Sequence, residues 1–221
     1  MKAKISEIFK SVQGEGIYQG QPQVFVRFYG CNLSCAFCDT KFYRYDELTL
    51  DEALNQVFSH GWCECVSLTG GEPLLQVEFL KELIPLLKKN GACVYLETNG
   101  TLYGNLEKII ESVDIIAMDF KLESSTLERN FSDEHKKFLE TALKKEVFVK
   151  AVIGRKTNAD DIARALKIVN SLSKETWFIF QPENPFEELL TKKIIFLENS
   201  LKSIHKNIVT IPQMHKKLGI R

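Results

Sequence analysis

The sequence predicts an α/β fold in which about six parallel strands form an incomplete, TIM-type β/α barrel, and three observations lead there. Apolar, β-rich runs recur along the chain, stretches of helical period separate them, and the polar and Gly-rich tracts follow the runs directly. Continuous apolar strands joined by amphipathic helices imply parallel pairing, because each crossover returns the chain to the same edge while a helix covers one face.

The expected strands are Val24 to Tyr29, Cys65 to Leu68, Cys93 to Leu96, Asp114 to Met118, Val147 to Val152 and Trp177 to Phe180. Helical spacing marks Leu50 to Phe58, Val77 to Lys89, Leu106 to Ser112, Asp133 to Lys144 and Asp160 to Leu172. These units are fewer than a closed barrel needs, so a splayed one fits better. The segment between Cys38 and Gly70 reads as one helix and little else. No repeat, low-complexity tract or linker-like cluster divides the chain, and a single domain over 1–221 is expected.

Composition narrows the function. Apolar residues make up 44% and charged residues 26%, which suits a folded core. Acidic and basic residues balance at 29 each, so no global field draws in nucleic acid or an anionic membrane. Met1 to Lys10 alternates charged and apolar residues, without the apolar core of a secretion signal. No apolar run approaches the ~20 residues that span a bilayer. A cytoplasmic protein with neither nucleic-acid nor membrane partners is the expectation.

Of six cysteines, Cys31, Cys35 and Cys38 fall in one short loop after the first expected strand, a spacing poor for mutual disulfides and good for wrapping a metal. A structural zinc site wants four protein ligands, which Cys63, Cys65 or a histidine could complete. A cubane cluster on three thiolates leaves one iron open for a ligand. Cys63, Cys65 and Cys93 read as small core residues.

In open α/β sheets ligands sit beyond the carboxyl ends of the strands. The tracts there are Gly30-Cys31, Thr69-Gly70-Gly71-Glu72-Pro73, Glu97-Thr98-Asn99-Gly100, Asp119-Phe120-Lys121 and Gln181-Pro182. The paired glycines let backbone approach a ligand closely, and Pro73 suits a first helical turn.

The C-x3-C-x2-C loop together with Gly70-Gly71-Glu72-Pro73 resembles the radical S-adenosylmethionine superfamily. The stretches Glu7-Ile-Phe-Lys-Ser-Val-Gln-Gly-Glu-Gly16, Phe25-Val-Arg-Phe-Tyr-Gly30 and Cys38-Asp39-Thr40 narrow the likeness to its 7-carboxy-7-deazaguanine synthases, from Ile5 to Arg221. That resemblance implies a [4Fe-4S] cluster on Cys31, Cys35 and Cys38, with S-adenosylmethionine bound by Phe37, Asp39, Gly71, Glu72, Asp119, Lys121 and Gln181. It implies Mg²⁺ on Thr40, a hard oxygen ligand. The reaction implied is ring contraction of 6-carboxy-5,6,7,8-tetrahydropterin to 7-carboxy-7-deazaguanine with loss of ammonia, on the way to queuosine and related deazapurines.

Backbone groups of Val12, Gln13 and Gly14 and the carboxylates of Glu15 and Glu97 would read the pterin edge, beside Thr69, while Arg27 would grip its carboxylate. His215 and the Arg221 carboxylate would close over it from the tail. A flavodoxin or ferredoxin donor and a homodimer are implied by class. The rival readings are a glycyl-radical-enzyme activase and a non-catalytic metal-binding module.

Overall fold

Period-two and helical patterning resolve, in the computed structural model, which describes residues 1–40 and 43–219, into one open sheet faced by helices. In chain order the elements are β1 (Lys2–Val12), β2 (Pro22–Phe28), β3 (Asp46–Thr49), α1 (Leu50–Ser59), β4 (Cys65–Gly70), α2 (Val77–Lys89), β5 (Cys93–Thr98), α3 (Tyr103–Leu106) and β6 (Ile115–Asp119). There follow α4 (Glu123–Thr126), α5 (Ser132–Ala142), β7 (Glu146–Ile153), α6 (Ala159–Leu172), β8 (Phe178–Pro182), α7 (Glu187–Leu201), β9 (Ile208–Thr210) and α8 (Met214–Leu218).

The strand order is β3-β1-β2-β4-β5-β6-β7-β8-β9. From β2 onward each neighbour is parallel; β1 runs antiparallel to both β2 and β3. The six strands expected from sequence are β2 and β4 to β8, and three more extend the sheet at its edges. The charge alternation of the first residues is thus a strand pattern. A register shift between Ile5 and Glu7 marks a β-bulge. Ala3 and Ile5 pack with the helices before it, whereas Glu7 and Phe9 line a cavity on the other face after it, as an inserted residue re-aims side chains.

Two expectations are corrected. Leu106 to Ser112 is not one helix: α3 ends at Leu106, and Ile110–Ser112 is a separate tight turn. The segment after Cys38 holds β3 as well as α1; Asp46 and Glu47 are exposed on an edge strand, so no apolar run announces it. Thr49 caps α1, accepting from the Glu52 amide while Glu52 Oε2 accepts from the Thr49 amide.

The main core lies between the sheet and its helices. In α2, Leu80, Leu83, Ile84 and Leu87 are fully buried at helical spacing, and Pro85, which cannot donate an amide, faces solvent. The inner face carries a smaller cluster of Cys65, Tyr95, Ala117, Phe148 and Ile179. Because side chains alternate along a strand, the residues two or four further on share that face: Thr69, Glu97, Asp119, Lys150 and Gln181, all lining the cavity. The apolar layer floors the half-barrel, and the polar layer above it faces the opening.

Candidate active site

The cavity at the carboxyl ends of the parallel strands encloses about 660 Å³. Cys31, Cys35 and Cys38 line one end of it, on the loop after β2, and all three are free thiols. The Cys38 amide donates to the Cys35 carbonyl at 3.0 Å, and the Ala36 amide to the Thr126 carbonyl at 2.8 Å, so the loop is held at its own turn and against α4. Asn99 Nδ2 reaches Cys31 Sγ at 3.8 Å and Asn32 Oδ1 at 2.8 Å, tying the loop to the end of β5.

Gly71 explains why a glycine stands behind this loop. A Cβ there would lie 2.0 Å from the Gly30 carbonyl oxygen and 2.9 Å from Cys31 Cβ. Burial pushes the Cys35 thiol up to about 11, with the Lys121 ammonium opposing, so metal binding would release a proton.

Glu72 sits beneath the cavity wall. It is fully buried and does not line the cavity. Its carboxylate accepts from the Asn99 amide at 2.8 Å, the Leu74 amide at 3.0 Å and Thr98 Oγ1 at 3.0 Å, and burial outweighs these bonds to push it up to about 7. It fastens the β4 loop to the β5 loop.

A chain of charges crosses the floor. Lys150, 5% exposed, pairs with Glu15 and lies 3.3 Å from Asp119 Oδ2. Lys121 Nζ approaches the same Asp119 oxygen at 3.1 Å and sits over the Phe37 ring. Burial pushes both ammonium groups down, but the facing carboxylates, Asp119 foremost, outweigh it and raise them. Burial likewise raises Glu15, yet Lys150, with Gln213 Nε2 at 2.6 Å, holds it at about 2. Glu97 accepts from Gln13 Nε2 at 2.8 Å, Thr69 Oγ1 at 3.0 Å and Ser67 Oγ at 3.2 Å.

The remaining expected residues gather here too. Arg27 lines the cavity, its Nε bonded to Glu7 at 2.8 Å and its guanidinium over the Phe9 ring. Val12, Asp39 and Thr40 are at the wall, Asp39 paired with Lys216. Gln181 is buried, and its Oε1 has no hydrogen-bond partner among the described residues.

Val12, Gln13 and Gly14 line the cavity where β1 turns. The Gln13 amide donates to Gln21 O at 2.7 Å and its carbonyl accepts from Gly20 at 2.8 Å; the Gly14 carbonyl accepts from Met214 at 2.8 Å and from Gln19 Nε2 at 2.9 Å. These backbone groups hold the turn and dock the tail. A Cβ at Gly14 would fall 2.0 Å from His215 Nδ1, so the glycine lets the imidazole pack on it at the cavity wall. Arg221 lies outside the described residues. Cys63 and Cys65 are buried away from the cavity, and Cys93 is half-buried.

Sequence reading missed Lys150, Asn99, Gln213 and Lys216. A lysine interrupting the apolar run Val147-Phe-Val-Lys150-Ala-Val152 was the available signal.

The donor set fits an iron–sulfur cluster with an organic cofactor. Three cysteines free of disulfides share one loop, and the orphaned Gln181 oxygen and the backbone-lined Gly70-Gly71 wall lie in the same cavity.

A model of the radical SAM superfamily matches residues 25–190. The 7-carboxy-7-deazaguanine synthase of Geobacter sulfurreducens is 35% identical, with 98% of this chain and 97% of that protein covered. That of Methanothermobacter thermautotrophicus is 33% identical over 100% and 99%. A crystal structure of QueE from Escherichia coli aligns with a TM-score of 0.67, covering 97% of this chain and 95% of that one; at 22% identity this likeness concerns the fold.

Proposed function

The chain belongs to the 7-carboxy-7-deazaguanine synthases of the radical S-adenosylmethionine superfamily, and on that premise we infer how its cavity converts 6-carboxy-5,6,7,8-tetrahydropterin to 7-carboxy-7-deazaguanine. The observation that carries the reading is one cavity with three free thiols at one end and the donor-held carboxylates Glu15 and Glu97 at the other.

Cys31, Cys35 and Cys38 would hold a [4Fe-4S] cluster, which together with S-adenosylmethionine would supply carbon-radical chemistry beside the substrate. The protein's own groups orient the two molecules. Gly71, Glu72, Phe37, Asp39, Asp119, Lys121 and Gln181 would surround the cofactor, and the unpartnered Gln181 oxygen would accept one of its N–H or O–H groups. Glu15 and Glu97 would offer carboxylate oxygens as acceptors to the pterin's donor edge. Arg27 pairs with the substrate carboxylate, and Thr69, Val12 and His215 complete the wall. Thr40 would offer Mg²⁺ one hard oxygen, and the ion would supply electrostatic stabilisation of negative charge. The apolar floor of Tyr95, Phe148 and Ile179 excludes water from below.

Outside the cavity, the reading includes a small flavodoxin or ferredoxin as electron donor, a homodimer, a single catalytic domain and a reducing cytoplasmic setting. No described helix is long and apolar enough to cross a membrane.

Anaerobically reconstituted protein, given carboxytetrahydropterin, S-adenosylmethionine and a reductant, is expected to form 7-carboxy-7-deazaguanine with S-adenosylmethionine regenerated. Free deoxyadenosine with no deazaguanine would overturn the reading in favour of an activase. A colourless protein without absorbance near ~400 nm would favour a plain metal-binding module.

A further inference from the structure

The reaction above uses Glu15 as an acceptor but leaves unexplained why a nearly buried carboxylate stays ionised, and the answer lies on a different strand. Lys150 projects from β7, two residues beyond Phe148 of the apolar floor, and its ammonium pairs with Glu15 on one side and Asp119 on the other. We propose that Lys150 is a positioning residue that sets which heterocycle edge the cavity accepts, by keeping Glu15 an acceptor with its oxygens turned to the ring. This rests on the reading that Glu15 meets the pterin edge.

The geometry favours such a role. Gln213 Nε2 holds one Glu15 oxygen at 2.6 Å and Lys150 the other, and each oxygen keeps a second lone pair for a ligand. Two parallel acceptors match two adjacent N–H donors, as on the 2-amino and N3–H edge of a pterin. The 2-oxo analogue, a lumazine, presents one donor and one acceptor there, and its oxygen would face a carboxylate oxygen. A protonated Glu15 would reverse the preference, offering one donor and one acceptor.

The groups facing Glu15 are Lys150 from β7 and Gln213 and His215 from the tail, while Asp119 on β6 and Glu97 on β5 act on Lys150. Of these Lys150 is the dominant influence that lowers Glu15 against burial. Without it, desolvation favours the neutral acid.

The test is equilibrium binding of 6-carboxypterin and 6-carboxylumazine, stable aromatic probes, to cluster-loaded protein with S-adenosylmethionine, read by probe fluorescence at several pH values. The parent protein should favour the pterin by about 30-fold or more, with little change between about pH 5.5 and 7. Lys150→Met should bind the pterin about tenfold more weakly at the acid end, recover as pH rises, and lose most of the discrimination. Lys150→Arg should restore the parent pattern. Glu15→Gln, with Lys150 intact, should turn the preference toward the lumazine, which keeps the idea testable if Lys150→Met does not fold.

A folded Lys150→Met protein that binds the pterin with a flat pH profile and undiminished discrimination would overturn this inference and leave the proposed function standing. A parent protein that binds no carboxypterin would overturn both.

Discussion

Replacing Gly71 by alanine puts a single methyl group into the narrowest approach between the β4 loop and the cysteine loop. The new Cβ would lie 2.0 Å from the Gly30 carbonyl oxygen, against an ordinary carbon–oxygen contact of about 3.3 Å, so backbone must give by about 1 Å. The group that must retreat is the acceptor of the Glu72 amide, now 2.9 Å away. The φ of Gly71 lies outside the left-handed region, so the collision is what the substitution probes. Overpacking against backbone costs about 1–3 kcal/mol and the weakened hydrogen bond about 1 kcal/mol. The expected loss is about 2–4 kcal/mol, which at an m-value of about 2 kcal/mol/M lowers the urea midpoint of the iron-free chain by about 1–2 M. Cys31 moves with Gly30, so iron and sulfide bound per chain after reconstitution should fall as well. Gly104→Ala is the control: an added Cβ there meets nothing within 4 Å, and stability should hold or rise by about 0.5–1 kcal/mol. A Gly71→Ala protein with the parent's midpoint and full iron content would refute the close-approach argument.

Cys35→Ala should abolish cluster binding and all S-adenosylmethionine cleavage, whereas Arg27→Ala should retain the absorbance of the cluster and raise the KM for the pterin; equal loss of both functions in the Arg27 variant would contradict its assignment. Burial holds the pKa of His135 down to about 4 from an ordinary 6.5, so between those values the unfolded chain takes up a proton that the folded chain refuses. Its contribution is therefore complete above pH 6.5 and declines as pH falls, by about 3 kcal/mol near pH 4. Urea midpoints at several pH values should fall less steeply for His135→Gln than for the parent, and identical slopes would be evidence against the assignment. Lys193 Nζ on α7 donates to the carbonyls of Gly154 at 3.0 Å, Arg155 at 3.0 Å and Thr157 at 2.6 Å. Lys193→Met should cost about 1–2 kcal/mol, part of the bonding being to solvent-facing groups, and lower the Tm by about 4 °C; an unchanged Tm would show that the loop after β7 needs no such pin.

The central strands were legible because each is a continuous apolar run, and burial on both faces demands that pattern. The flanking ones were not. β1 alternates in two phases around its bulge, β3 carries exposed acids on an edge, and β9 is three residues long; none buries enough to announce itself. At the site, the residues right after strands were found because the topology concentrates chemistry there. Lys150 escaped notice inside a strand, where identity is set by which face a position shares with Phe148 and by distant Glu15, a partner that no local pattern shows. The surroundings of Glu72 were equally hidden: the three donors that enclose it come from Leu74, Thr98 and Asn99, a network visible only once β5 lies beside β4. The tail's placement depended on Gly14, whose missing side chain makes room for His215.

The sheet does not close on itself, and that has a mechanical consequence. In a sealed barrel, strand number and stagger fix the bore; here no such constraint sets the distance between the first hairpin and the last strand. Instead a few cross-links act as the hoop of an unfinished cask: Gln19 to the Pro212 carbonyl, Met214 to Gly14, Gln213 to Glu15 and Lys216 to Asp39. None of these ties is a rung between strands, so the hoop and the staves are separate sets of bonds.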